Sequence, residues 1–143
     1  MTPKEDCEVL LNALLQFAGN QLTKHGEFYP FGAVMQNGND ISLTAVDTGD
    51  DHPGSIEMIH WLTEIHAELA MKGEIKASGI CWDAKANFEN GVRTDAIMVS
   101  LEHRENYSVL VGQPYRMGHF KKLSLSAMFA QKGSNDIFDK KQG

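Results

Sequence analysis

One short segment brings together the residue types that a small-ligand site uses. His25 supplies an imidazole, Glu27 a carboxylate and Tyr29 a phenol. Phe28 and Phe31 lie beside them, and aromatic rings next to a few converging polar groups are typical of pockets for small molecules. The same pattern fits a junction between a helix and a strand in which the two phenylalanines seal the core. Both interpretations stay open, and the first makes His25, Glu27 and Tyr29 candidate ligand-binding residues.

A second polar cluster surrounds His103 at the end of a predicted strand. Because side chains alternate between the two faces of a strand, His103 and Glu105 share one face. Glu102 and Arg104 then lie on the other face. A histidine paired with a glutamate can transfer a proton, whereas an exposed, ion-paired strand end is the structural alternative. We take His103 as a fourth candidate ligand-binding residue.

The other reactive residues do not form a known catalytic or metal-binding pattern. Cys7 and Cys81 are far apart, without a CxxC pair or a zinc-type spacing. His60 and Glu64 lie one helical turn apart, but the HExxH arrangement is absent, and the acidic stretch 47–54 lacks the spacing of a calcium loop. No GxSxG, P-loop or GxGxxG motif occurs. The sequence therefore predicts no catalytic residue, no metal and no cofactor.

The overall charge argues against polyanionic partners. The net charge is −6 and the isoelectric point is near 5.4. Nucleic acids and anionic membranes need clustered lysines and arginines, so we expect neither as a partner. The single basic cluster consists of Tyr115, Arg116, His119, Lys121 and Lys122. It could receive an acidic partner or a phosphate, or it could cover a sheet edge with charge.

Three features predict a cytoplasmic protein without a membrane segment. Two isolated cysteines indicate a reducing compartment. Residues 1–6 lack the basic region and following apolar run of a secretory signal. The wholly apolar stretches are only a few residues long, far short of the ~20 residues that cross a bilayer as a helix.

Two segments have the periodicity of amphipathic helices. The first covers about residues 3–25, with a capping box between Thr2 and Glu5 and a stop at Gly26. Its apolar positions recur at helical spacing: Val9, Leu10, Leu14, Phe17 and Leu22. The second covers about residues 56–72. Its predicted apolar stripe consists of Met58, Leu62, Ile65 and Leu69, widened by Ile59 and Trp61.

The remaining segments predict strands. Residues 31–35 and 41–46 form a hairpin, with Asn37-Gly38 as a two-residue turn that needs positive φ at both positions. Residues 75–82, 94–102 and 107–113 form a three-stranded meander. Residues 123–129 fit either a sixth edge strand or a short helix, because their alternation stops midway.

The predicted order is helix, strand, strand, helix, strand, strand, strand. One mostly antiparallel sheet of five or six strands, with two main helices shielding its apolar side, satisfies both helical patterns. This α+β fold has a profilin-like or roadblock-like topology, an analogy that carries no function. A length of 143 residues fits a single domain over residues 1–138 and a flexible tail over residues 139–143.

Several segments resemble a family of small, uncharacterised bacterial cytosolic proteins. The longest is His25-Gly26-Glu27-Phe28-Tyr29-Pro30-Phe31-Gly32-Ala33. The shorter ones are Asp95-Ala96-Ile97, Leu101-Glu102-His103-Arg104, Pro114-Tyr115, and the stretch from Phe129-Ala130 to Ile137-Phe138. The resemblance implies a bacterial cytosolic protein and assigns no catalytic residue.

Three functional hypotheses follow. The absence of catalytic motifs favours a non-enzymatic binding or protein-interaction module that forms a homodimer through a sheet edge or the long first helix. The first alternative is a small enzyme or ligand sensor with a pocket near Glu27 and Tyr29, assisted by His103. The second alternative is an accessory or immunity-type protein whose acidic surface neutralises a basic partner.

Overall fold

The computed structural model describes residues 1–47, 49, 54–87 and 93–138. These ranges contain two α-helices, seven strands and one short 3-10 helix, His119–Lys121. The helices are α1, Pro3–His25, and α2, Ser55–Met71. The strands are β1 Phe31–Gln36, β2 Ile41–Thr44, β3 Ile75–Asn87, β4 Arg93–His103, β5 Tyr107–Met117, β6 Leu123–Leu125 and β7 Phe129–Lys132. Most of the acidic stretch 47–54, the residues 88–92 between β3 and β4, and the predicted tail 139–143 lie outside the described residues.

The seven strands form one antiparallel sheet, which confirms the predicted α+β class and element order. The strand order is β2-β1-β3-β4-β5-β6, and β7 also pairs with β5. The prediction of five or six strands was too low, because the outer edge of β5 pairs with two short strands in succession. Residues 115–117 pair with β6 and residues 109–112 pair with β7. The undecided segment 123–129 is therefore strand at both of its ends.

The two helices cover opposite faces of the sheet. α1 packs on the face that contains Ala77, Cys81 and Val99. α2 packs on the other face, where Leu62 lies in one cluster with Ile80. The expectation of a single shielded apolar side was therefore wrong. Because β3 buries residues on both of its faces, each face needs its own helix.

α1 begins and ends as predicted. Thr2 Oγ1 accepts a hydrogen bond from the Glu5 N–H at 3.1 Å, and Glu5 Oε1 accepts one from the Thr2 N–H at 2.9 Å. Gly26, at φ 78°, supplies the left-handed stop. The buried hydrophobic residues of α1 are Cys7, Leu10, Leu14, Ala18 and Leu22. No helix within the described ranges combines the length and the apolar character needed to cross a bilayer.

α2 is rotated about its axis relative to the predicted stripe. Its buried residues are Met58, Leu62, His66 and Ala67. Trp61 and Ile65, both predicted to lie on the buried stripe, are 48% and 38% exposed. The cause lies on the sheet, because a Cβ at Gly32 would come within 2.8 Å of His66 Cε1. The imidazole occupies the space above this glycine, so the larger apolar side chains turn outward.

The hairpin of β1 and β2 turns through a three-residue loop, residues 37–39, and not through the predicted two-residue turn. Gln36 and Asp40 pair on either side of this loop. The Gln36 N–H donates to Asp40 O at 2.8 Å, and the Asn39 N–H donates to Gln36 O at 2.9 Å. The left-handed residue is Asn39, at φ 75°, whereas Asn37 and Gly38 do not have positive φ. A type I turn followed by a left-handed residue is the common form of a three-residue hairpin loop.

The close approach at Gly32 gives a direct stability test. In Gly32→Ala, the new Cβ would meet the Gly79 carbonyl oxygen at 2.9 Å and His66 at 2.8 Å. A backbone oxygen cannot move aside as a flexible side chain can, so we expect a loss of about 1–3 kcal/mol of unfolding free energy. Gly38→Ala is the matched control, because nothing lies within 4 Å of its Cβ position. Urea unfolding followed by circular dichroism measures both, and equal effects of the two substitutions would contradict the prediction.

Candidate functional site

Three of the four predicted ligand-binding residues lie together on the surface after α1. His25 is the last residue of α1, and Glu27 is exposed in the connection that follows. Tyr29 is 49% exposed. Between these residues, the Phe28 ring packs edge-on against the Phe31 ring, with centroids 5.8 Å apart. Phe28 and Phe31 therefore seal the core. The polar residues His25, Glu27 and Tyr29 line neither the cavity beside the inner side of α2 nor the one on its outer side.

The fourth residue, His103, lies at the opposite end of α1. Its Nδ1 accepts a hydrogen bond from the Glu105 N–H at 3.1 Å, so in the neutral ring Nε2 carries the hydrogen and donates to Asp6 Oδ2 at 2.9 Å. Asp6 and His25 are separated by about 28 Å along the helix, at 1.5 Å per residue. The side chain of His103 is fully buried. The structure therefore does not bring His103 together with the other three residues, and both of its ring nitrogens are already bonded.

Asp6 joins α1 to the sheet through a buried polar network. Lys76 Nζ lies 3.3 Å from Asp6 Oδ2. Burial opposes ionisation of this carboxyl, but the hydrogen bonds from His103 and Lys76 outweigh it and hold the pKa of Asp6 below its usual range. Lys76 also donates to Asn39 Oδ1 in the hairpin loop. This network clamps the first turn of α1, β3, β4 and the hairpin, and that is a structural role.

On the opposite face of the sheet, Glu102 holds the segment that follows β7. The Ile137 N–H donates to both carboxylate oxygens at 3.1 Å, and the Phe138 N–H donates to Oε1 at 3.0 Å. Glu102 is 4% exposed, and burial raises its pKa despite these donors. The segment 133–138, which we call the C-terminal strap, is therefore fixed to β4 on the face that α2 covers.

A groove of about 290 Å³ lies between α2 and the C-terminal strap. α2 packs on β1 and β3 and leaves this part of the sheet uncovered. The groove is lined by Ile59 and Thr63 of α2, by Ile80, Trp82, Ser100 and Leu110 of the sheet, and by Lys132, Gly133, Ser134 and Asp136. We call this cavity the sheet groove.

The sheet groove combines an apolar floor with a few polar groups at its rim. Ile80, Trp82 and Leu110 supply the floor, and Lys132 is exposed at the strap. Ser134 Oγ donates to Asp136 Oδ2 at 2.7 Å, and Lys132 supplies the one ammonium among the residues that line the groove. Such a lining suits an apolar molecule with one polar or anionic end.

His66, a histidine that the sequence patterns did not single out, lies on the buried side of α2. His66 Nδ1 is 2.7 Å from Ser78 Oγ, and His66 Nε2 is 2.8 Å from Thr44 Oγ1. A serine beside a histidine is the arrangement that nucleophilic catalysis uses, but His66 and Ser78 are 0% and 1% exposed. The spacing of Met58, Leu62 and His66, at successive intervals of four residues, could have revealed that this histidine faces the core.

The two thiols are unreactive in this environment. Cys7 is 1% exposed and burial raises its pKa to about 12. Cys81 is fully buried, and burial likewise raises its pKa. Because the thiolate is the nucleophile, neither cysteine has the character of a catalytic residue. Among the described residues, no three histidine, cysteine or acidic side chains are grouped closely enough to hold a metal ion.

The predicted basic cluster divides into a buried and an exposed part. Tyr115 is buried and donates to Asp83 Oδ1 at 2.7 Å, and burial together with this carboxylate raises its pKa. Arg116, His119 and Lys122 are exposed. The cluster therefore presents its cations, without the tyrosine, beside β5.

Comparison with known proteins adds no assignment to these sites. No protein-family model, curated protein or solved structure matches this chain. The resemblance to a bacterial family stays a prediction, and the sheet groove is identified from the geometry of this chain.

The burial of His66 predicts a pH-dependent stability. Burial lowers its pKa from the ordinary 6.5 to about 4. Between these values the unfolded chain binds the proton and the folded chain does not, so stability is lost as the pH falls from 6.5 to 4. His66 alone should lower the free energy of unfolding by about 3 kcal/mol over this pH range. Urea unfolding at a series of pH values measures it.

Substitution of the histidine isolates this contribution. In His66→Gln, which removes the titration but keeps a polar side chain, the loss of stability between pH 6.5 and 4 should be smaller by about the same 3 kcal/mol. His60→Gln is the matched control, because His60 lies on the same helix with 67% of its side chain exposed. An unchanged pH dependence in His66→Gln would refute the assignment.

Proposed function

We propose that this protein is a non-enzymatic binding module that takes a small amphipathic molecule into the sheet groove. The observation that carries the proposal is a cavity of about 290 Å³ with an apolar floor and a lysine at its rim. The volume lies at the lower end of the range of small-molecule pockets, roughly 300–1,000 Å³. A short aliphatic chain or a single ring with an anionic end fits these properties.

The floor of the groove supports binding of the apolar part of such a molecule. Ile80 and Trp82 project from β3 on the face that α2 leaves partly open, and Leu110 of β5 continues the same surface. Removal of apolar surface from water contributes about 25 cal/mol per Å². The half-buried Trp82 ring offers the largest single apolar surface among these residues.

The rest of the lining favours binding over catalysis. The polar side chains at the groove are those of Thr63, Ser100, Lys132, Ser134 and Asp136. Thr63 Oγ1 already donates to Ile59 O at 2.8 Å. The histidine–serine pair and both thiols are buried, and none of them lines the groove. As part of the same proposal, we assign the binding to the bacterial cytosol, which the isolated cysteines and the family resemblance favour.

Octanoate is a suitable probe, because it joins a short apolar chain to a carboxylate. In a Trp61→Phe background Trp82 is the single tryptophan, so its fluorescence reports on the floor of the groove. We expect a saturable change in this fluorescence on titration with octanoate. Ser100→Phe should abolish it by filling the groove, whereas Ser124→Phe, at an exposed position of β6, should not. A titration curve that Ser100→Phe leaves unchanged would place the binding elsewhere, and no saturable change in the parent would reject the proposal.

The rim lysine gives a second, separable prediction. An exposed ion pair contributes about 0.2–1 kcal/mol, so Lys132→Gln should weaken octanoate binding by about 1.4- to fivefold. The neutral analogue octanol should be affected much less, because it forms no ion pair. Lys4→Gln, at an exposed lysine of α1, is the control and should leave both affinities unchanged. An equal loss for octanoate and octanol would show that Lys132 acts through packing and not through charge.

A further inference from the structure

Two exposed apolar features remain outside the sheet groove. The first is a hollow of about 320 Å³ on the outer side of α2, lined by Trp61, Glu64, Ile65, Ala67, Glu68 and Met71. We call it the α2 hollow, and none of its lining residues lines the sheet groove. The second is the side chain of Phe120, which is fully exposed in the loop between β5 and β6.

The α2 hollow combines apolar residues with acidic ones. Trp61 is 48% exposed and Met71 is 73% exposed, because the rotation of α2 turns them away from the sheet. Glu64 and Glu68 also line the hollow and are well exposed, and within the same helix Glu64 Oε1 lies 3.4 Å from His60 Nε2 and Glu68 Oε1 lies 3.3 Å from Lys72 Nζ. Tryptophan and methionine are enriched at protein interfaces relative to the rest of the surface. The apolar part of this patch therefore has the composition of a docking surface.

Phe120 is held outward by a strained loop. Its backbone is left-handed, at φ 60° and ψ 31°, which is a rare conformation for a bulky residue. The Gly118 N–H donates to Lys122 O at 2.8 Å and closes the loop beneath it. Strain of this kind persists where the surrounding structure enforces it, and it is concentrated at functional sites.

The charges around Phe120 are opposite to those of the α2 hollow. Arg116 and Lys122, which lie four residues before and two residues after Phe120 in the chain, are exposed. In a chain with a net charge of −6, two copies repel each other over most of their surfaces. Contact between the basic loop of one copy and the acidic hollow of another replaces this repulsion by attraction, which also fixes the orientation of the contact.

We propose that Phe120 of one copy inserts into the α2 hollow of a second copy. Arg116 and Lys122 then face Glu64 and Glu68 across the contact. Within one copy the two features lie apart, because α2 packs on β1 and β3 whereas the Phe120 loop follows β5. The contact uses a different surface from each copy. Repeated in one direction it produces open chains or closed rings, and exchanged reciprocally between two copies it produces a two-fold dimer. This differs from the predicted homodimer through a sheet edge or the first helix, and it does not depend on the sheet groove.

Sedimentation velocity over a range of protein concentrations tests self-association. The weight-average mass of the wild type should rise above the monomer mass of 15.9 kDa as the concentration increases, and less so at high salt. Phe120→Gly should remain monomeric, and it suits the fold because glycine accepts the positive φ. Trp61→Ser should also remain monomeric, since it removes the largest apolar wall of the hollow.

Mixing the two variants gives the decisive result. Phe120→Gly keeps an intact hollow and Trp61→Ser keeps an intact Phe120, so an equimolar mixture should form a 1:1 complex of about twice the monomer mass that cannot extend further. Leu43→Ser, at an exposed position of the edge strand β2, is the control and should self-associate as the wild type does. A monomeric wild type, a monomeric mixture, or loss of association in Leu43→Ser would each overturn the proposal.

Discussion

The contact between His66 and the sheet determines which residues of α2 are buried on the face of the sheet opposite α1. Gly32 leaves space above β1, and the imidazole fills it between the hydroxyls of Thr44 and Ser78. Because a helix is rigid about its own axis, this contact fixes which side of α2 faces inward. It also places Trp61 and Ile65 outside. The exposed α2 hollow is thus a consequence of a buried polar group that must keep its hydrogen bonds.

The sheet groove arises because two different segments, α2 and the C-terminal strap, pack on the face of the sheet opposite α1. α1 spans the first face over several strands, whereas α2 packs mainly on β1 and β3 and contacts Thr44 of β2 through His66. The C-terminal strap lies on the same face, where Glu102 of β4 holds it through the Ile137 and Phe138 amides and Ile137 packs in one cluster with Leu62 and Ile80. A helix and an irregular segment pack less closely than two helices would, and the cavity lies between them. The binding site proposed here therefore depends on a carboxylate that contacts backbone, not on a recognisable catalytic group.

The local features of the fold were predictable because they depend on neighbouring residues. The capping box of Thr2 and Glu5 and the left-handed stop at Gly26 are contained within a few positions of the chain. The hairpin was predicted but the conformation of its loop was not, because Asn39 has the left-handed backbone conformation that was expected at Asn37 and Gly38. The candidate site was less predictable. Phe28 and Phe31, on either side of Tyr29, proved to seal the core, while the groove combines residues from α2, four strands and the strap.

The sequence by itself determined the two helices, the first five strands, the α+β class and the order of these elements, since periodicity and capping act over one or two turns of chain. Only the tertiary structure decided that the helices lie on opposite faces, that His103 is paired with Asp6, and that α2 turns His66 inward. These outcomes depend on contacts between residues far apart in sequence, such as Gly32 beneath His66. Hydrophobic periodicity identifies a face of a helix, but the shape of the opposing surface selects which residues of that face are buried.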